Sequence, residues 1–295
     1  MVPRCVLVER PTEYQELLAR HGTREQARFY LAQRGQDIAD LEQQHHQQRE
    51  HHAHVLRAVP TEWRRASIDR ADLDRFLFEP DDVIVVLGQD GLVANVAKYL
   101  NGQPVIGLNP QPDRYPGILV RHPPRAIADL LADLGAARAA TQHRTMVAAT
   151  LDDGQTLLAL NEIFIGHQTH QSARYQITHA GYTERQSSSG VVVATGTGAT
   201  GWAASLHREH RSELALPSPA EQRLIFFVRE PWPSAATATT LTEGLLTATD
   251  ALEIKSELGD GGVLFGDGIE ADRLQLNWGQ RIRLLIANRT LQLVI

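Results

Sequence analysis

The stretch DDVIVVLGQDGLVANVAKYLNGQPVIGLN (81–109) decides how the first part of the chain is read. Val83 to Leu87 is an unbroken apolar run rich in β-branched residues, which predicts a strand covered on both faces, as inside a parallel sheet. Leu92, Val93, Val96, Ala97 and Leu100 then fall on one side of a helix. Asn101-Gly102-Gln103-Pro104 is a stop signal, and Val105 to Asn109 reads as a second buried strand. Strand, helix and strand in that order form a βαβ unit, whose crossover is right-handed.

Toward the N-terminus, CVLVE (5–9) is a further short strand. Thr12 to Leu56 contains no proline and is expected to form two helices, broken at Gly35, with Ala27, Tyr30, Leu31, Ile38 and Leu41 at near-helical spacing. His45, His46, His51, His52 and His54 lie in the second. None has the i,i+4 partner of helical metal ligands, so a solvated face is the expected reading. Beyond Pro123-Pro124 one more helix (125–138) precedes a series of short strands. They include a hairpin turning at Asp153-Gly154 and the runs LIFFV (224–228), ALEIKSEL (251–258) and RIRLLIANRTLQLVI (281–295). The expected architecture is an open, mostly parallel α/β domain over 1–123 and a β-rich domain over 124–280, with 281–295 returning to the first.

Composition excludes several classes. In 295 residues, 42% of them hydrophobic, the longest apolar runs are about five residues, against about 20 for a membrane-spanning helix. MVPRCVLVERP offers too short an apolar stretch for a secretory signal, and the single Cys5 rules out an internal disulfide or a cysteine-based zinc site. A cytoplasmic protein without membrane association is expected. A net charge of −6 lacks the broad basic footprint of nucleic-acid binding.

Three segments carry chemistry. Gly88-Gln89-Asp90-Gly91 lies between a buried strand and a helix, where ligands of open α/β sheets bind. Asp90 there can orient or deprotonate a hydroxyl, or simply cap the helix. Thr195-Gly196-Thr197-Gly198-Ala199-Thr200-Gly201-Trp202 offers hydroxyls and exposed amides at a helix start, an anion or sugar site. Residues 196–201 also spell the dinucleotide fingerprint G-x-G-x-x-G, so a Rossmann-type oxidoreductase is an alternative. Asn161-Glu162 pairs an amide with a carboxylate, which suits a base edge and a ribose diol, or merely closes a hairpin.

In this order, GQDG (88–91), NPQPDRYPG (109–117), NEIFIG (161–166), SSSGVVVATGTGATGW (187–202) and FGDGIEADRLQLNWG (265–279) resemble the motifs of the NAD kinase family, closest in style to its mitochondrial-type branch. The resemblance spans about 81–295. It implies an α/β domain followed by a β-rich domain, and transfer of the γ-phosphoryl of ATP, or of polyphosphate, to the 2′-hydroxyl of the adenosine ribose of NAD or NADH. Asp90 would be catalytic. Gly88, Gly91 and Asn109 would border the ATP phosphates, with Mg²⁺ carried by ATP rather than by a dedicated metal site. Asn161, Glu162, Thr195, Thr197, Thr200 and Gly201 would bind NAD. A homodimer or homotetramer is the family expectation. Gln89, Leu92, Gly196 and Ala199 depart from the usual glycine, threonine, proline and serine, and Ser189 from an aspartate that many members place at the nicotinamide end. If position 89 needs positive φ, its side chain costs about 1 kcal/mol. These departures leave a catalytically weak NAD-binding sensor as a further alternative.

Overall fold

In the computed structural model, which describes residues 2–295, the chain divides into two units: residues up to Thr141 together with Gln292–Ile295, and Gln142–Leu291. In the first, β1 (Arg4–Glu9), β2 (Arg64–Asp69), β3 (Asp82–Leu87), β4 (Pro104–Leu108) and the closing strand β18 (Leu291–Val294) stand in the order β2-β1-β3-β4-β18. Every one of those pairings is parallel. All six residues of β3 are buried, as the Val83–Leu87 run predicts. At its start Asp82 is fully buried and takes a two-pronged bond from Arg4 at 2.8 and 2.6 Å. A buried carboxylate requires such a partner.

Helices α3 (Ile38–Ala58) and α5 (Ile127–Gly135) lay Val55, Val59, Ile127 and Leu131 on Leu7, Val85 and Ile106 of this sheet. That packing corrects the expected boundary near 123. The helix after Pro124 has no core of its own, so the division falls at Thr141, from which β5 (Thr141–Arg144) carries the chain onward. The returning segment is likewise shorter than 281–295: only the last strand joins, with Gln292 opposite Pro104 and Leu293 opposite Val105.

The N-terminal region holds three helices rather than two, α1 (Glu13–His21), α2 (Arg24–Ala32) and α3. The additional break is Gly22, whose φ of 77° ends α1, and Thr23 then caps α2. Thr12 and Gln15 form a capping box at the start of α1. Leu17, Ala27, Leu31 and Ile38 make a small core among the three. The histidines do not form one solvated face. His46 is exposed, whereas His45 bonds the Thr12 hydroxyl at 2.9 Å and His52 lies 3.3 Å from the Glu9 carboxylate.

The second unit is built on two antiparallel six-stranded sheets. One contains β6 (Val147–Leu151), β7 (Thr156–Ala159), β9 (Ala173–His179), β10 (Tyr182–Ser188), β14 (Leu252–Ser256) and β17 (Arg281–Ile286). The other contains β8 (Glu162–His167), β11 (Val191–Ala194), β12 (Leu224–Val228), β13 (Glu243–Leu246), β15 (Gly262–Gly266) and β16 (Ile269–Leu276). Ala149, Ile177, Ile254 and Leu284 of the first meet Ile165, Val193, Phe226 and Leu264 of the second in a single core, the packing of a β-sandwich. The β6–β7 hairpin turns at Asp153-Gly154 as predicted, with Gly154 at φ 90°. Helix α6 (Trp202–His210) covers the outer face of the second sheet through Ala203 and Leu206. The strand after it, β12, runs antiparallel to β11. No βαβ unit surrounds residues 196–201, so the oxidoreductase fingerprint lacks its structural context. Among the described residues no helix is long and apolar enough to cross a membrane.

Candidate functional site

In the first unit, β3 ends at Leu87 and the Gly88 N–H donates to the Leu108 carbonyl at 3.0 Å. Gln89 has φ −105° and ψ 165°, ordinary extended backbone, so a side chain at this position brings no backbone strain. Asp90 opens helix α4 (Asp90–Ala97) but does not serve as its cap. Its carboxylate instead reaches a neighbouring loop. Oδ2 accepts the Ile118 N–H at 2.9 Å, and Oδ1 accepts those of Leu119 and Val120 at 2.8 and 2.9 Å. The loop lies this close because two glycines permit it. A Cβ on Gly107 would collide with the Leu119 carbonyl, and one on Gly117 with that of Val120. A carboxylate offers about four acceptor positions. Three are taken, which leaves one on Oδ2 for an incoming hydroxyl.

Beside this loop, at the carboxyl ends of β1, β3 and β4, lies a cavity of about 130 Å³. The strand order reverses between β1 and β3, and open α/β sheets bind ligands at such a switch point. Gly88 and Asn109 line the cavity. Gly91 does not; a Cβ there would meet only open space. Asn109 is buried and commits its side chain to its own loop, donating to the Tyr115 carbonyl at 2.7 Å and accepting from the Gln111 N–H at 3.0 Å. Arg10, Arg114, Gln44 and Gln48 also line the cavity, and of these only Arg114 lies in a stretch the sequence marked, NPQPDRYPG (109–117). The signal of the other three was weak, because Arg10 directly follows a strand and Gln44 and Gln48 belong to one helix, α3, that no motif marked.

In the second unit, Leu160 and Asn161 carry the chain from β7 to β8. The Asn161 carbonyl accepts the Thr195 N–H at 2.9 Å, and the Leu160 carbonyl the Thr195 hydroxyl at 2.6 Å. Thr195 Oγ1 in turn accepts the N–H groups of Thr197 and Gly198. Thr195 is therefore a buried brace within the turn rather than a lining residue. Gly198 and Gly196 are pressed against the backbones of Asn161 and Ser218, so neither has room for a Cβ, and the residue that stands where proline is usual fits because it is glycine. Thr200 and Gly201 are exposed. Thr197 Oγ1 is buried and has no hydrogen-bond partner.

Asp267 fastens this arrangement. Its carboxylate accepts the Leu160 N–H at 2.9 Å and the Asn161 N–H at 2.6 Å, while its own N–H donates to the Glu162 carbonyl at 3.1 Å. It adopts φ 54°, a conformation that aspartate tolerates better than most side chains. Burial, reinforced by the Asp267 charge, pushes the Glu162 carboxyl up to about 7. Phe164 follows Glu162 by two and so faces the same side of β8. Its ring stacks on Trp202 at 5.9 Å and 20°, with Phe265 at 5.1 Å and the Arg229 guanidinium 5.4 Å from the Trp202 ring. Ser189 lies on the rim of this aromatic shelf.

No family profile matches the chain. An NAD kinase of Methylococcus capsulatus is 30% identical to it over 131 residues, a match that covers 42% of this chain and 44% of that protein. The chain thus aligns with less than half of that relative's length. The crystal structure of yeast NADH kinase complexed with NADH superposes on the whole chain and on 84% of its own, with a TM-score of 0.61 at 15% identity. An NAD kinase from Archaeoglobus fulgidus in complex with ATP superposes on the whole chain and on 94% of its own, with a TM-score of 0.59 at 16% identity. In fold the chain resembles these kinases, and part of its sequence is similar to that of an NAD kinase. The α/β layer and β-rich sandwich expected from the family are both present.

Proposed function

We propose that the protein is an NAD kinase, which transfers the γ-phosphoryl of ATP, or of polyphosphate, to the 2′-hydroxyl of the adenosine ribose of NAD or NADH. The relatives named above act on or bind NADH and ATP, and the same ligand chemistry suits the groups of this chain. The observation that carries the reading is Asp90. Its carboxylate is fixed by three backbone amides at the mouth of a parallel sheet and retains one acceptor position.

In this reading Asn161 and Glu162 hold the adenosine, with Thr197, Thr200 and Gly201 beside it and Thr195 bracing the turn beneath. The aromatic shelf of Phe164, Trp202 and Phe265 offers a stacking surface to the second ring of the dinucleotide. Asp90 accepts the 2′-hydroxyl and aims its oxygen at the donor's terminal phosphorus. A new P–O bond forms there, the bond from that phosphorus to the bridging oxygen of the next phosphate breaks, the shortened donor departs (ADP where ATP is used), and the hydroxyl proton is taken up by Asp90 or water. Alignment and charge neutralisation supply most of the catalysis in such transfers. Gly88 keeps backbone close to the donor. Gly91 and Asn109 act at one remove, through the openness of the helix start and the shape of the loop.

Mg²⁺ carried on the donor phosphates would offset their charge. With its last acceptor position given to the hydroxyl, Asp90 would leave such an ion to phosphate and water. The sensor alternative loses its main support, since the backbone at Gln89 is unstrained. A cytoplasmic location fits the buried, unpaired Cys5, and a homodimer or homotetramer is the family expectation.

Purified protein given Mg²⁺, ATP or polyphosphate, and NAD or NADH should form NADP(H) in a coupled assay. No product from any of the four combinations would refute the kinase.

A further inference from the structure

We propose that Arg10 and Arg114 clamp the phosphate chain of the phosphoryl donor, in the cavity that α1 and α3 wall off at the carboxyl ends of β1 and β3. The proposal builds on the kinase reading and deepens it, since the donor would be gripped by side chains outside the glycine loop.

Both arginines line the cavity. Neither is paired with a carboxylate among the described residues. Arg10 donates to the Gln89 amide oxygen at 3.4 Å and Arg114 to that of Gln44 at 3.2 Å. Other arginines of the same unit are held by acids, Arg4 by Asp82 at 2.6 Å, Arg24 by Glu42 at 2.6 Å and Arg64 by Glu79 at 2.7 Å, and so have less of their charge to offer an anion. A guanidinium resting on a neutral amide keeps its full charge and most of its five donors. Its flat fork matches phosphate oxygens in pairs.

Glu13 is the one acid in the lining, against two arginines. The N-terminal end of α1 reaches the same wall through Thr12 and adds its positive dipole end. Size then decides which part of a donor enters. A cavity of about 130 Å³ is well below the roughly 300 Å³ at which pockets enclose whole drug-sized ligands. It admits phosphate groups and leaves a nucleoside outside. The site therefore reads the phosphate chain and discriminates weakly among bases.

This assignment also gives the N-terminal helices a purpose. α1 and α2 interrupt the path from β1 to α3, and their small core around Leu17, Ala27 and Leu31 fixes the wall from which Gln44 holds Arg114.

The test is calorimetric titration of the full chain, without NAD, by ATP and by inorganic tripolyphosphate. The proteins are wild type, Arg10→Gln, Arg114→Gln, the double variant and Arg114→Lys. Wild type should bind both ligands, and each single Gln variant should bind both about tenfold more weakly, the loss of one charged hydrogen-bonding group. The double variant should lose about a hundredfold together with most of the salt dependence, and Arg114→Lys should recover part of the loss. NAD affinity should be unchanged throughout, which also reports that the variants fold. Gln variants with wild-type affinity for both ligands would overturn the clamp, and so would wild type binding ATP tightly but tripolyphosphate not at all. The coupled assay separates the two claims. NADP formation with unaltered donor affinity in the variants defeats only the clamp. Arginine-dependent tripolyphosphate binding without any NADP formation defeats the kinase and leaves an anion site standing.

Discussion

At the scale of single residues, Glu162 is the most informative group. Burial and the charge of Asp267 raise its carboxyl from the ordinary 4.5 to about 7. A carboxyl held above its unfolded value favours the folded state at low pH, because the folded chain keeps the proton more tightly. That stability is complete below about pH 4.5 and is lost as pH rises to about 7. The full difference corresponds to at most about 3 kcal/mol. Glu162→Gln has no proton to lose. Thermal melts should therefore show the variant gaining on wild type between pH 5 and pH 8, by about 2 kcal/mol. A gap that does not change with pH would show that Glu162 is ionised throughout. Near neutrality the same carboxyl passes from donor to acceptor, which suits recognition of a ribose diol by a group whose state follows pH. Asp267 is fully engaged on the backbone of Leu160 and Asn161. It belongs to the FGDG stretch, which the sequence marked only as a closing β segment. Its role depends on a turn that brings residue 267 to residue 161, and spacing along a chain does not show that.

At the scale of elements, the Asp90 site depends on a loop as much as on a helix. Gly107 and Gly117 let residues 118–120 approach β4 and donate three N–H groups to Asp90. Gly107→Ala forces its Cβ into the Leu119 carbonyl, and such overpacking costs roughly 1–3 kcal/mol. It should lower both melting temperature and turnover. Gly91→Ala enters open space at a helix start, where Ala is the better helix former; its melting temperature should hold or rise. Equal melting temperatures for the two variants would show that the loop yields, and that Asp90 is not held as described.

The strands around this site were legible because a wholly buried strand has a continuous apolar run, and Val83–Leu87 has one. Helix α4 was legible through its stripe from Leu92 to Ala97. The capture of Asp90 by residues 118–120 was not, since backbone amides carry no residue identity. Nor was the break at Gly22, where a single glycine inside a polar stretch competes with good helix formers on both sides. The boundary at Thr141 rather than 123 had the same origin: an amphipathic helix declares that it has a partner but not which one.

At the scale of the whole molecule, the chain holds two differently built units. The parallel sheet, with its switch point and two uncommitted arginines, suits an anionic donor. The sandwich, with Asn161, Glu162 and the threonine turn fastened by Asp267, suits a nucleoside. The resemblance to the NAD kinases rested on the order of five modest motifs along the chain, so order carried more information than any one motif. The inserted helices of the first unit carried none of it, and their contribution emerged only from the cavity they wall. The central claim is that Asp90 serves the acceptor hydroxyl. It is tested most directly by turnover of Asp90→Asn, which keeps the oxygen facing Leu119 and Val120 but cannot accept at Oδ2. With saturating NAD, ATP and Mg²⁺, the variant should lose about 10²–10⁴ in kcat while its affinity for NAD stays within twofold of wild type. An Asp90→Asn protein that forms NADP at the wild-type rate would contradict the account.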